Sequence, residues 1–125
     1  MKKNTLNLAY KLLQHPHIDK VYHPALPSFT NHHIWKRDFT GSSGLFAFSL
    51  KKMYYLKSIE KFYKKLKIFK LGYSWGGFES LITFPPLSKR TFKSEVKGNL
   101  IRVYCGLENS QDQINDILNA LKVLK

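Results

Sequence analysis

The sequence predicts an α+β domain: a small, mostly antiparallel sheet with helices packed on one face. Three observations predict it. Amphipathic segments of helical period open the chain, close it and recur in the middle. Apolar runs of strand length, rich in branched and aromatic residues, lie between them. The chain has 125 residues, 43% hydrophobic and 14% aromatic, which suffices for one core and not for two. Residues 1–125 are therefore read as a single domain.

The first helix is expected over Asn4 to Gln14. Leu8 and Leu12, and Ala9 and Leu13, are spaced by four, and Asn4 or Thr5 can cap the start. His15-Pro16 ends it, because the residue before proline resists helical geometry. "IDKVYHP" reads as a short strand stopped by Pro24, and "ALPSFTNHHIWKRDFTGSSG" as a long loop. "LFAFSL", Leu45 to Leu50, is a compact apolar strand. In "KKMYYLKSIEKFYKKLKIFK", Leu56, Ile59, Tyr63 and Leu66 form an apolar stripe, with lysines on the other sides. "FKLGYSW" and "SLITF" read as strands entering and leaving the Gly76-Gly77 turn, with Pro85-Pro86 stopping the second. "NLIRVYCGL", Asn99 to Leu107, is a further strand. In the last helix Ile114, Ile117, Leu118 and Leu121 make one stripe, and Ser110 with Gln113 has the pattern of a capping box.

The formal net charge is +13. Such a charge suggests a nucleic acid or another polyanion as partner. Abundant Lys, Asn, Ile, Phe and Tyr offer a compositional explanation instead, since A/T-rich codons specify all of them. The aromatics near the central lysines fall on the apolar stripe, where packing needs them, so the lysines read as a solvated face. A nucleic-acid-binding role ranks last. Cys105 is the only cysteine, which excludes an internal disulfide and a cysteine-based zinc site. There is no leader-like start and no apolar run long enough to span a bilayer, so the expected location is the cytoplasm.

The candidates for chemistry are few. His15, His17, His23, His32 and His33 lack the i, i+4 spacing of a preformed ligand pair and have no carboxylate cluster beside them, so no metal site is expected. Cys105 sits among apolar residues without an evident base and reads as core. Arg102 lies in an otherwise apolar strand. It either points to solvent or is held inward for planar recognition of a carboxylate.

"HPALP", "WKRDFTGSSGLFAF", "YSWGGFESL" and "LIRVYCGLEN" occur in one order. Together they resemble the C-terminal domain of cystathionine β-lyases, in the Cys/Met-metabolism family of pyridoxal-phosphate enzymes. The resemblance covers nearly the whole chain and implies the C-terminal fold of fold-type-I enzymes. It implies that Arg102 grips the substrate α-carboxylate, that Ser74 helps hold it, and that Tyr73 and Trp75 line the pocket. It gives Glu79 no catalytic role, and a structural or solvent role is its default. The implied reaction is α,β-elimination of L-cystathionine to homocysteine, pyruvate and ammonia, within methionine biosynthesis. The implied cofactor is pyridoxal phosphate, and the implied assembly is a homotetramer.

The resemblance also marks what this stretch lacks. The family's Schiff-base lysine, in a Ser-x-Thr-Lys context, and its N-terminal cofactor domain have no counterpart here, so no catalytic residue is assigned. The chain is expected to be inactive alone and to work with a separately encoded cofactor domain. The alternative is a non-catalytic remnant. Weak or no binding of pyridoxal phosphate by the isolated chain is expected.

Overall fold

The structure, a computed structural model, describes residues 2–73, 77–85 and 96–124, of Lys2 only the backbone. Ser74, Trp75, Gly76 and Pro86 lie outside the described residues. The elements in chain order are α1 (Lys2–Leu13), β1 (Ile18–Tyr22), α2 (His32–Asp38), β2 (Leu45–Leu50), α3 (Leu56–Lys65), β3 (Lys70–Leu71), β4 (Leu81–Thr83), β5 (Leu100–Tyr104) and α4 (Ser110–Leu121). The strands form one sheet in the order β1-β2-β5-β4-β3. Three pairings are antiparallel, as expected, while β3 and β4 pair in parallel.

Register divides the sheet into two faces. Val21, Phe48 and Ile101 stand opposite one another across β1, β2 and β5. Phe46, Val103 and Ile82 form the next row across β2, β5 and β4. All are buried in one cluster with Leu8 and Leu12 of α1, Phe62 of α3, and Ile117 and Leu121 of α4. This is the helix-covered face, and the predicted stripes of α1 and α4 supply it. The other face carries the row Tyr22, Ala47, Arg102 and Thr83.

Several elements differ from the sequence reading, each for a physical reason. α3 starts at Leu56 rather than Lys51. The Asn99 side chain accepts the Tyr54 amide at 2.7 Å and holds the preceding residues out of the helix. Leu56, placed on the apolar stripe by its spacing, is 74% exposed because it sits at the helix start, and Ile59 and Phe62 are the buried pair. α3 ends at Lys65 rather than near Lys70. Both carboxylate oxygens of Asp116 draw the next amides away: Lys67 N at 2.8 Å, Ile68 N at 2.9 Å and Phe69 N at 3.1 Å.

α2 falls inside the expected loop. It is short and buries no residue, so it carries no apolar period to read. The cap of α4 is Asn109, whose side chain accepts the Asp112 amide, and not Ser110. Gln113 turns inward instead of closing a capping box. β3 and β4 are not a hairpin pair, because they pair in parallel.

Candidate carboxylate-binding site

Arg102 stands on the central strand, β5, with Ala47 of β2 on one side and Thr83 of β4 on the other. Neighbours on both sides leave its side chain half-buried on the face that the helices do not cover. Its Nη2 donates to the Tyr73 carbonyl. Among the described residues no carboxylate pairs with it; the salt bridge there joins Arg37 and Asp38. The guanidinium carries five donors in a fixed fork. A half-buried fork with one donor engaged and no counter-ion among the described residues is suited to bind a carboxylate in two parallel bonds.

The structure thus brings Tyr73 to Arg102 through its main chain, while the Tyr73 ring is 76% exposed. Ser74 and Trp75, the other expected site residues, lie outside the described residues. Glu79 is exposed. Leu71, Phe78 and Leu107 are also exposed.

The chain from Gly77 onward is pinned onto the end of β5. The Tyr104 hydroxyl donates to the Gly77 carbonyl at 3.0 Å, and Leu107 N donates to the Phe78 carbonyl at 2.9 Å. Gly77 itself has open space where a Cβ would stand, so its neighbours do not demand a glycine. The close approach is at Gly106, where a Cβ would collide with the Phe78 carbonyl.

Sequence reasoning missed the polar cluster beneath this limb. The Ser80 hydroxyl donates to Glu108 Oε1 at 2.6 Å, and the Ser80 amide donates to Glu108 Oε2 at 3.1 Å. Gly106 N and Gln113 Nε2 donate to the Ser80 hydroxyl at 2.9 and 3.1 Å. Partial burial pushes the Glu108 carboxyl upward, but the bonds from Ser80 and Gln113 outweigh it and hold the group below the ordinary carboxylate range. The signal was a carboxylate directly after an apolar strand, in "GLEN".

Cys105 is fully buried, and burial pushes its thiol up to about 12, far from a nucleophile's range. His23 is buried, and its Nδ1 accepts the Ala25 amide at 3.1 Å. Among the described residues no group of three or more His, Cys, Asp or Glu converges as a metal site would, and no helix is long and apolar enough to cross a membrane. Every described lysine side chain is exposed. None is held in a setting like that of Arg102, so the described residues do not fit covalent anchoring of a cofactor aldehyde.

Residues 1–122 match the family model described as Cys/Met metabolism PLP-dependent enzyme. The chain is 40% identical over 124 residues to the cystathionine beta-lyase of Escherichia coli (strain K12), covering 92% of this chain and 30% of that protein. It is 37% identical over 125 residues to the L-alanine/L-glutamate racemase of Wolbachia pipientis wMel, covering 96% of this chain and 30% of that protein. It matches the fold of cystathionine gamma synthase from Xanthomonas oryzae pv. oryzae, solved in complex with aminoacrylate and cysteine. The TM-score is 0.82 at 25% identity, over 98% of this chain and 33% of that one. The α+β fold-type-I architecture is as expected. The chain spans about a third of the length of these relatives.

Proposed function

This chain belongs to the Cys/Met metabolism PLP-dependent enzymes, and on that premise we propose that it is the substrate-carboxylate-binding part of a cystathionine β-lyase. The observation that carries this reading is Arg102: half-buried at mid-sheet, tied to the Tyr73 carbonyl, with no carboxylate partner among the described residues. The likeness to the E. coli lyase supports the choice of reaction.

The family's cofactor is pyridoxal phosphate. When bound, it takes up the electron pair left at the amino-acid Cα. This chain's contribution is orientation. Arg102 fixes the α-carboxylate in two parallel bonds, which limits rotation about the Cα–carboxylate bond and aligns the Cα–H bond. Ser74 is assigned to the same carboxylate, and Tyr73 and Trp75 to the pocket wall. The anchoring lysine and the cofactor's other contacts belong to residues outside this stretch. In the overall reaction, L-cystathionine and water give homocysteine, pyruvate and ammonia, with the C–S bond broken.

The test supplies the remaining two-thirds of the E. coli lyase in trans. Pyruvate released from L-cystathionine, absent from either part alone, supports the reading. The Wolbachia relative favours one competitor, a racemase half-site. Interconversion of L- and D-alanine without pyruvate would select that competitor. No product at all would select the non-catalytic remnant.

A further inference from the structure

We propose that Glu108 is the positioning residue of the carboxylate site, holding Ser80 and thereby setting where the Tyr73 carbonyl stands against Arg102. The inference rests on the reading of Arg102 as the carboxylate clamp.

The path is continuous. Glu108 accepts both the hydroxyl and the amide of Ser80, at 2.6 and 3.1 Å. The Ser80 carbonyl accepts the Lys70 amide at 3.2 Å, and the Ile82 carbonyl accepts the Gly72 amide at 3.1 Å. Ser80 thus supplies one of these two bonds at the start of β4, and β3 leads in two residues to Tyr73, whose carbonyl accepts from Arg102.

A carboxylate is required beside Ser80. Ser80 is fully buried, and its hydroxyl already accepts from Gly106 N at 2.9 Å and from Gln113 Nε2 at 3.1 Å. Its single proton must therefore meet an acceptor, and so must the Ser80 amide. Gln113 Nε2 adds a third donor toward Glu108 Oε1 at 3.3 Å. An ionised carboxylate is acceptor-only and serves all three. A glutamine at 108 would turn an NH2 group toward at least one of these donors, with no free lone pair on Ser80 to receive it.

The experiment follows the Arg102 Nε–H resonance of the ¹⁵N-labelled full chain while acetate is added. The resonance is assigned by its loss in Arg102→Lys. Glu108→Gln is the isosteric probe. Ser80→Ala keeps the amide bond to Glu108 but removes the hydroxyl bond, together with the acceptor for Gly106 N and Gln113 Nε2, and decides the question where Glu108→Gln does not fold. Urea unfolding of each variant reports stability separately.

We expect Glu108→Gln to move the Arg102 resonance in the acetate-free protein and to weaken acetate binding about tenfold or more, with Ser80→Ala intermediate. A folded Glu108→Gln protein with the wild-type resonance and affinity overturns the proposal, even where its urea midpoint falls, because Glu108 then only stabilises. If Arg102 ignores acetate in the wild type while its resonance still moves in Glu108→Gln, the carboxylate reading fails and the positioning role stands.

Discussion

Replacing Asp116 with alanine removes the acceptor that ends α3. The side chain is 8% exposed and receives the amides of Lys67, Ile68 and Phe69 at 2.8, 2.9 and 3.1 Å. A hydrogen bond to a charged acceptor contributes about 1.5–3 kcal/mol. Phe69 is buried, so its amide gains no water in exchange, whereas Lys67 and Ile68 are partly exposed and recover some hydration. The three losses together should therefore cost about 3–5 kcal/mol, below the full sum of the charged-bond values. That is a large part of the 5–15 kcal/mol typical of whole domains. With a urea dependence of about 2 kcal/mol per M, the unfolding midpoint should fall by roughly 2 M. Asp116→Asn keeps one acceptor oxygen and should fall between the two. Hydrogen exchange at residues 67–69 should accelerate most, because those amides lose their only tie to α4. A cost under about 1 kcal/mol with an unchanged slope would mean that the Asp116 bonds do not hold the end of α3.

Other outcomes follow from the same contacts. Cys105 should resist iodoacetamide in the folded chain and react once urea unfolds it; rapid labelling of the native protein would contradict its burial and raised pKa. Burial lowers the His23 pKa from 6.5, so its stabilising contribution is present above that value and is lost as pH falls through the lower folded value. His15 is lowered by burial and by His17, with the same sign. The urea midpoint should therefore begin to fall below about pH 6.5, and His23→Asn should flatten part of that slope. Glu108, held below its ordinary 4.5, keeps its contribution above that pH. That share is lost as pH falls further, and Glu108→Gln should lack it. Gly106→Ala should lower the melting temperature, since its Cβ would collide with the Phe78 main chain, while Gly77→Ala meets open space and should change stability far less.

Much of the fold was legible where one stretch of chain carries its own signal. Leu8 and Leu12, and Ile114, Ile117 and Leu121, have helical spacing and lie in the core. "LFAFSL" and "LIRVY" form adjacent strands. The ends of α3 were not legible, because they are set by side chains far away in sequence: Asn99 on the Tyr54 amide and Asp116 on the 67–69 amides. Spacing alone carries a helix through such positions, while tertiary competition for amides ends it. The site divides in the same way. Arg102 was conspicuous as a charge inside an apolar strand. The clamp of Glu108 on Ser80 spans 28 residues, and neither partner looks unusual in its own segment.

Whether Arg102 holds the substrate carboxylate during elimination is read from kcat/KM for pyruvate release in the reconstituted system with Arg102→Gln. Losing two charge-assisted bonds, at about 1.5–3 kcal/mol each, predicts a fall of roughly 10²- to 10⁴-fold. An Arg102→Gln protein that folds and releases pyruvate at the wild-type rate would show that Arg102 does not hold the carboxylate.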